Sequence, residues 1–371
     1  MLHQDTLLVD IFQAYYDARK NKRTTASALR FELDFESHLL RLYEDIANRT
    51  YKVSRSICFV VTKPLRREVF AGAFRDRIVH HLLFNYISPL FERLFINDSY
   101  SCRLGRGTSY GIKRADRFIR SCSENYDKDC YILKLDISGY FMGIDKNILY
   151  SKIEKVLLLP RYQADAKFDI SLVLWLIQQV IYNDPTLNYL RKGRLEDWND
   201  LPKNKSLFNV EPGKGLPIGN LTSQLFGNIY LNDLDYFIVH TLGCRYYGRY
   251  VDDFVIVHRD KKFLKSIIPC IREYLSNNLT LQLHPKKIYL QHYNKGVKFL
   301  GVIIKPYRIL IGKRLKGNFY QCIRKWNLKI NAGKFSREDI AAFLSSINSY
   351  LGMMKNYNTF NLRKKILKIL N

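Results

Sequence analysis

The sequence predicts an α+β fold in which an antiparallel sheet is flanked by helices. Apolar residues recur at helical spacing over residues 6–20 and 33–48, which predicts two amphipathic helices joined by a basic loop. Short β-rich segments at 131–135, 244–250 and 254–258 predict strands, and the tight connection between the last two is typical of a hairpin. Hydrophobic residues make up 47% of the 371 residues, so two or three packed units with a large core are expected.

The region before residue 131 contributes one further strand and one long helix. A β-branched run, Ile57–Val61, is typical of a strand. Basic sequence then leads into a strongly apolar helix over 78–95, which Pro89 is expected to interrupt. Basic residues therefore directly precede an element of the core.

Between the strand at 131–135 and the hairpin, helices alternate with polar sequence. A helix is expected after Asp145, and a long loop or insertion over 183–214, where turn formers are frequent. Another helix is expected over 221–242, with Thr222 or Ser223 as its N-cap.

The C-terminal part is expected to hold two strands and a basic unit. The strands lie near 288–290 and 297–304 and are predicted to pair with each other. Residues 306–371 contain only Glu338 and Asp339 as acids among many lysines and arginines. A small basic helical unit is therefore predicted at the C-terminus.

The charge of the chain indicates a polyanionic partner. Lysine and arginine number 60 against 34 acids, giving a net charge of +26 and a pI near 9.7. The longest apolar stretch, Ser171–Tyr182, is too short to span a bilayer, and the N-terminus has no secretory signal pattern. The seven cysteines form no CxxC pair, which favours reduced thiols over disulfides or a zinc site. We therefore expect no membrane segment and a cytoplasmic protein.

Three aspartates carry the strongest chemical signal. Tyr250-Val251-Asp252-Asp253 forms the hairpin connection, and Asp136 stands at the end of the strand in LKLDISGYF. Carboxylates on adjacent strands suit a pair of Mg²⁺ ions about 3.5–4 Å apart, the arrangement that nucleotidyl transfer uses. An aspartate at a turn is also an ordinary turn residue, and for Asp252 alone both interpretations stay open.

The motifs LDISGYF, GLPIGNLTSQ, YVDD, KIYL and KFLG resemble the palm motifs of reverse transcriptases in their order along the chain. The resemblance implies a right-hand polymerase with fingers at 1–110 and 145–215, a palm at 111–144 and 216–305, and a helical thumb at 306–371. It also implies that two Mg²⁺ ions, with Mn²⁺ as a substitute, bind at Asp136, Ile137, Asp252 and Asp253. Asp136 and Asp252 are the more direct ligands, and all three aspartates are catalytic.

The same resemblance implies a nucleotide site. Phe141 would pack under the sugar of the incoming nucleotide and clash with a 2′-hydroxyl, which predicts a preference for deoxynucleoside triphosphates. Burial statistics alone favour Phe141 or Tyr140 as ordinary core. In VVTKPLRREVF, Lys63 and Arg67 resemble residues that hold the triphosphate, with Arg66 a weaker candidate, whereas a basic run alone favours solvated surface charges.

The segment Gly215–Gln224 indicates which subgroup of reverse transcriptases the chain resembles. Ile218-Gly219 and Ser223-Gln224 are similar to the reverse transcriptases of diversity-generating retroelements, which miscopy adenines of a template-repeat RNA. Gly219 would allow close approach of the nascent base pair. Ile218 stands where a polar side chain could form a hydrogen bond with the nucleotide. Its aliphatic contact would discriminate only weakly between correct and incorrect nucleotides. Error-prone copying and a basic accessory protein oligomer are what this resemblance implies, with Gln224 in the nucleotide site.

Further positions are predicted to contact phosphates or nucleic acid. Lys287, with Lys286 as its rival, would assist the departure of pyrophosphate. His80 and His81 are interpreted as packing residues. The nucleic-acid-binding positions are Arg75, Arg77, Arg103, Arg106, Tyr250, Phe299, Leu300, Gly301, Lys313 and Arg314, of which Phe299–Gly301 resemble a primer-grip turn.

Two alternatives remain. One is a reverse transcriptase of another bacterial lineage, such as a group II intron, retron or defence-associated type, although Ile218-Gly219 with Ser223-Gln224 argues against it. The other is a catalytically silent RNA-binding scaffold, which would have no need for Asp136, Asp252 and Asp253 together.

Overall fold

The computed structural model describes residues 2–20, 25–62, 66–333 and 335–369. Its first elements are α1 (Leu2–Arg19), α2 (Ala26–Glu32), α3 (Phe35–Ala47), β1 (Ser56–Val61), β2 (Arg67–Ala71) and α4 (Phe74–Glu92). The helices predicted over 6–20, 33–48 and 78–95 are confirmed, whereas α2 and β2 were not expected. Pro89 lies near the C-terminal end of α4 and does not interrupt it, since the helix continues to Glu92 although the proline cannot donate its own helical hydrogen bond.

The middle of the chain alternates helices with short strands. Its elements are α5 (Thr108–Cys122), β3 (Tyr131–Asp136), α6 (Tyr140–Gly143), α7 (Lys146–Leu157), α8 (Pro160–Asp165), α9 (Ile170–Tyr182) and β4 (Tyr189–Arg191), followed by 3₁₀ turns at Leu195–Trp198, Lys203–Lys205 and Leu207–Asn209. The helix predicted after Asp145 is α7, and the Asp145 side chain caps it by accepting the N–H groups of Asn147 at 2.9 Å and Ile148 at 3.0 Å.

The last elements are α10 (Leu221–Tyr236) with a π-helical turn (Phe237–Thr241), β5 (Tyr246–Tyr250), β6 (Asp253–His258), α11 (Lys261–Leu279), β7 (Tyr289–His292), a 3₁₀ turn (Tyr293–Lys295), β8 (Val297–Phe299), β9 (Val302–Lys305), β10 (Arg308–Ile311), α12 (Lys313–Asn331), α13 (Arg337–Lys355) and α14 (Phe360–Leu367). The predicted cap of α10 is wrong. Asn220 occupies the N-cap position, while the Thr222 hydroxyl is 2.8 Å from Nδ1 of the buried His80.

In the part of the chain that the structure describes, the strands form three sheets. The central one has the order β5-β6-β3-β7 and is antiparallel throughout. The others have the orders β2-β1-β4, in which β4 lies parallel to β1, and β10-β9-β8. The predicted pairing of 288–290 with 297–304 is wrong, because β7 instead pairs with β3, on the side of β3 that does not contact β6. The α+β class with an antiparallel sheet flanked by helices is confirmed.

The two faces of the central sheet pack against different layers. Leu133, Leu135, Phe254 and Ile256 belong to the main core, which includes residues of α4, α10 and α11. Ile132, Val255 and Val257 join a second core with residues of α5, β8 and β9. Because side chains alternate along a strand, Lys134, Asp136 and Asp253 lie on this second face. They lie at the end of the sheet where β3 ends and β6 begins.

The C-terminal unit has a small core of its own. Residues from β10, α12, α13 and α14 form it: Ile311, Phe319, Ile323, Phe343, Ile347, Met354 and Ile366. Within the described ranges, no helix combines the length and the apolar content that crossing a membrane requires.

Candidate active site

Asp136 and the Asp252–Asp253 connection meet at one end of the central sheet. The register of β3 and β6 places Asp136 directly opposite Asp253. The N–H of Ile137 donates to the carbonyl oxygen of Asp252 at 3.2 Å. Because directly opposed residues in an antiparallel pair have Cα atoms about 5 Å apart, carboxylates from distant parts of the sequence share one small region.

The connection between β5 and β6 is held by a buried ion pair. Val251 has a φ of 57°, a left-handed conformation that β-branched residues seldom adopt. The fully buried Arg249 donates to both carboxylate oxygens of Asp235, at 2.7 and 2.6 Å, and to the carbonyl oxygen of Val251 at 3.0 Å. The Tyr247 hydroxyl also donates to Asp235 at 2.5 Å. The sequence did not predict this network. Its one signal in the sequence was the charged Arg249 within the largely apolar β5.

Two lysines face the aspartates. The ammonium of Lys287 is 2.8 Å from Asp136, and that of Lys134 is 2.9 Å from Asp253. Burial raises the pKa of Asp252 to about 6, and the negative charge of Asp136 adds to this rise. Burial also raises the pKa of Asp253 to about 6, against the opposing effect of Lys134. The carboxylates therefore lie in surroundings that favour a neighbouring cation.

The donor set fits a hard divalent cation. Oδ1 of Asp253 is buried and has no hydrogen-bond partner among the residues that the structure describes, and carboxylate oxygens are ligands that Mg²⁺ prefers. Ile137 has a buried aliphatic side chain, so it has only its backbone carbonyl to offer. In the part of the chain that the structure describes, no group of three or more His, Cys, Asp or Glu is spaced to hold a metal ion, and a cation here would compete with Lys134 and Lys287.

Tyr140 and Phe141 have different environments. Tyr140 is buried, and its hydroxyl donates to the carbonyl oxygen of Gly227. Phe141 is only partly buried and lies beside Gly227, where an added Cβ would be 3.4 Å from the Phe141 ring. Tyr140 is thus the core residue of the pair, and Phe141 is the aromatic ring with an exposed part.

Three of the residues predicted to bind the nucleotide, Arg67, Ile218 and Gly219, lie on or beside β2. Arg67 is exposed and shares one side of β2 with Val69, since the two are separated by one residue. An added Cβ on Gly219, whose φ is 128°, would lie 2.8 Å from Val69 and 3.0 Å from the carbonyl oxygen of Phe70. This close approach to β2 explains the glycine. Phe70 also donates its N–H to the carbonyl oxygen of Ile218 at 2.9 Å, whereas Lys63 lies outside the described residues.

Gln224 lies exposed in the first turn of α10. The thiol of Cys102 donates to its Oε1 at 2.8 Å. The side-chain carbonyl of Gln224 is therefore engaged, and its amide nitrogen is the group left to meet a ligand.

Four of the five arginines predicted to bind nucleic acid, those before residue 110, divide into two kinds. The side chain of Arg103 is 2% exposed and donates to Glu92 and to the carbonyl oxygens of Ile96 and Ser99, and its contact with nucleic acid stays a prediction. The other three are partly exposed: Arg75 pairs with Asp45, Arg77 donates to the Gly72 carbonyl at 3.2 Å, and Arg106 contacts Asn97.

The three residues that resemble a primer grip have different environments. Phe299 is fully buried in the second core, where its side chain supports the turn, and its contact with nucleic acid stays a prediction. Leu300 and Gly301 form the turn between β8 and β9 with φ angles of 48° and 87°, and Gly301 is exposed. Tyr250 is partly buried at the end of β5, and Lys313 and Arg314 are exposed at the start of α12.

Comparison of sequences gives one family and two curated relatives. The family described as reverse transcriptase (RNA-dependent DNA polymerase) matches residues 66–304. Protein YkfC of Escherichia coli (strain K12) is 24% identical over 268 residues, which cover 62% of this chain and 60% of YkfC. Nuclear intron maturase 1, mitochondrial, of Arabidopsis thaliana is 24% identical over 188 residues, which cover 44% of this chain and 26% of the maturase. The matched region thus spans less than two thirds of either relative.

Solved structures that resemble the chain include two telomerases. Telomerase from Candida albicans, in complex with a TWJ fragment of telomeric RNA, has a TM-score of 0.49 at 11% identity and covers 90% of this chain and 67% of its own. Apo telomerase from Candida tropicalis has a TM-score of 0.49 at 12% identity and covers 86% of this chain and 61% of its own.

Proposed function

Because the chain belongs to the reverse transcriptase (RNA-dependent DNA polymerase) family, we propose that it is an RNA-directed DNA polymerase that copies a template-repeat RNA. The observation that carries this proposal is the β3–β6 register, which brings Asp136 opposite Asp253. Two Mg²⁺ ions held by Asp136, Asp252, Asp253 and the carbonyl of Ile137, with Mn²⁺ as a substitute, would lower the pKa of the primer hydroxyl and neutralise the triphosphate.

The side chains around the aspartates have distinct roles in this proposal. Arg67, with Lys63, binds the triphosphate of a deoxynucleotide, and Phe141 packs under its sugar. As the primer 3′-oxygen bonds to the α-phosphorus, the bond to pyrophosphate breaks. Lys287 would protonate the departing pyrophosphate, and the support for this role is that its side chain is 45% exposed and its ammonium is 2.8 Å from Asp136.

Template RNA and the RNA–cDNA duplex lie along the basic surfaces. The proposed contacts are Arg75, Arg77, Arg106, Tyr250, Leu300, Gly301, Lys313 and Arg314. We assign fingers to 1–110 and 145–215, palm to 111–144 and 216–305, and thumb to 306–371. The separate core of the C-terminal unit supports the last assignment.

The finer proposal is mutagenic copying of the diversity-generating type. Its support is the aliphatic, partly exposed Ile218 beside Gly219, with Gln224 at the start of α10. Adenine-mutagenised cDNA, sequence diversification and a basic accessory protein oligomer follow from the resemblance of this segment. Seven free cysteines fit a cytoplasmic location.

The first test is primer extension on an RNA template with and without Mg²⁺. The wild type is expected to extend only with Mg²⁺, and Asp252→Asn to lose extension by at least about 10³-fold while binding RNA normally. Wild-type protein that binds RNA but never extends would instead identify a silent scaffold.

The second test is sequencing of the cDNA. Ile218→Gln is expected to lower errors at template adenines, with Ile218→Val as the matched aliphatic control that keeps them. An adenine error frequency that is low in the wild type, or unchanged in Ile218→Gln, would favour a reverse transcriptase of another bacterial lineage.

A further inference from the structure

Residues 195–209, here called the strap, connect the hairpin that carries Arg67 to the segment just beyond Asp136. The strap consists of three 3₁₀ turns and follows β4, which adds a parallel strand to β1. The first and last turns of the strap pack on β2, and its middle packs on the residues at the start of α6. It therefore contacts both β2, which carries Arg67, and the segment that follows Asp136.

Glu68 anchors the strap to β2. This glutamate is 1% exposed, and its carboxylate accepts Trp198 Nε1 at 2.8 Å, the Ser206 hydroxyl at 2.8 Å and the Leu207 N–H at 2.7 Å. All three donors belong to the strap. A buried carboxylate without such donors is strongly destabilising, so the strap and β2 are held together in this geometry.

The alternation of β2 separates this anchor from the nucleotide residue. Arg66 lies on the same side as Glu68 and also holds the strap, through the Asp197 carbonyl at 3.2 Å and Asp200 at 2.9 Å. Arg67 lies on the opposite side with Val69. Arg66, the weaker candidate for binding the triphosphate, is thus engaged by the strap, whereas Arg67 lies on the other side of β2.

The middle of the strap lies against the residues that follow Asp136. The side-chain amide of Asn204 donates to the Ser138 hydroxyl at 3.4 Å. An added Cβ on Gly139, whose φ is 54°, would be 2.8 Å from the Asn204 carbonyl oxygen, so only glycine allows this approach. Lys203 and Lys205 flank Asn204, are exposed, and form no salt bridge with any residue in the described ranges.

We propose that the strap is a second phosphate-binding wall of the nucleotide site, in which Lys203, Asn204 and Lys205 contact the β- and γ-phosphates and Glu68 is the positioning residue. This inference rests on the proposed polymerase function. In that function the triphosphate must reach a metal ion at Asp136, and Ser138 and Gly139 follow Asp136 by only two and three residues. Ammonium groups and an amide from the strap would then meet the phosphate oxygens from the side opposite Arg67.

The decisive experiment measures single-nucleotide incorporation over a range of dNTP concentrations. Lys203→Ala/Lys205→Ala is expected to raise the apparent Kd for dNTP about tenfold and the inhibition constant of pyrophosphate to a similar extent, as the loss of charge-assisted hydrogen bonds predicts. Affinity for the primer–template is expected to stay unchanged. Unchanged dNTP and pyrophosphate constants, or a loss confined to template binding, would overturn the proposal.

Glu68→Gln tests the anchor, with Glu196→Gln as a matched control because Glu196 is an exposed acid on the strap. Glu68→Gln is expected to raise the Kd for dNTP and to speed amide exchange over 195–209, whereas Glu196→Gln changes neither. Because Lys203 and Lys205 are exposed, their variant keeps the test valid even if Glu68→Gln folds poorly. Failure of the polymerase function is distinguishable, since the wild type would then show no Mg²⁺-dependent incorporation at all.

Discussion

The guanidinium of Arg249 donates a hydrogen bond to the carbonyl oxygen of Val251 at 3.0 Å, across the connection that carries Asp252. The same guanidinium is fixed by two bonds to Asp235 on α10, and both side chains are 0% exposed. The left-handed Val251 is thereby tied to the helix behind the sheet. The position of Asp252 depends on a charge pair that touches no substrate.

Arg249→Met is therefore expected to reduce both stability and activity. Removing one partner of a buried pair leaves Asp235 uncompensated, at a cost of about 3–5 kcal/mol in the free energy of unfolding. Arg249→Met/Asp235→Leu removes both charges and is expected to regain most of that stability. Because the Val251 carbonyl stays unheld in the double variant, its incorporation rate is expected to remain at least about tenfold low. Urea denaturation and primer extension well below the melting temperature measure the two effects.

The control for this pair is Arg245→Met, since Arg245 is exposed just before β5. It is expected to alter neither quantity by much. A double variant with both wild-type stability and wild-type rate would show that Arg249 serves packing alone.

The raised pKa of Asp252 predicts a stability that falls with pH in metal-free buffer. The folded-state pKa is about 6, against about 3.9 in an unfolded chain. Between these values the folded protein keeps a proton that the unfolded chain has released, so stability decreases as pH rises through this window and stays lower above it. Asp252→Asn is therefore expected to be more stable than the wild type above about pH 7 in EDTA, and equally stable near pH 4, while losing polymerase activity.

Thermal melts of both proteins across this pH range measure whether the stability of the wild type falls, relative to Asp252→Asn, as the pH rises. Asp127→Asn is the control, because Asp127 is exposed and its substitution should leave the pH profile unchanged. An Asp252→Asn protein that is less stable than the wild type at neutral pH would contradict the electrostatic argument.

The sequence predicted the elements that carry Asp136, Asp252 and Asp253, because each lies at the end of a strand with a strong local pattern. It did not predict the partner of Arg249, since Asp235 lies on a helix whose contact with β5 is set by tertiary packing. The pairing of β7 was misjudged for a similar reason. Strands that are close in sequence usually pair with each other, which favoured a hairpin of β7 with the strands after it. In the structure β7 instead pairs with β3, which is far from it in sequence.

The strap shows a second limit. Its sequence has neither helical nor strand periodicity, so it was predicted only as a loop or insertion. Its position depends on Glu68, a single buried acid whose three donors are far away in the sequence. The α10 cap was misassigned because the Thr222 hydroxyl lies against His80, a contact that local sequence does not encode.

Phe141→Ala is expected to relax the selection of deoxynucleotides. The ring lies beside Gly227 and is partly exposed, so its removal would free space where a 2′-hydroxyl is otherwise excluded. The ratio of kcat/KM for dNTP to that for rNTP is expected to fall by about 10–200-fold, the range for a change in one steric contact. Tyr140→Phe is the matched control, since the buried Tyr140 hydroxyl bonds to Gly227 and its loss should change stability by about 1 kcal/mol without affecting sugar choice. Unchanged sugar discrimination in Phe141→Ala would remove the assignment.

Lys313 and Arg314 are expected to bind nucleic-acid phosphates. Both are exposed in the first turn of α12, where positive charge is unfavourable next to the helix dipole, so the fold itself gains little from them. Lys313→Ala/Arg314→Ala should therefore leave stability unchanged or slightly higher. If each contacts a phosphate, the slope of log K against log salt for an RNA–DNA duplex should become shallower by about 1–2, equally for all duplex sequences. Lys265→Ala on α11 is the control with the same charge change at an exposed site behind the sheet. A salt slope that the double variant leaves unchanged, or that shifts equally in the control, would place the duplex away from α12.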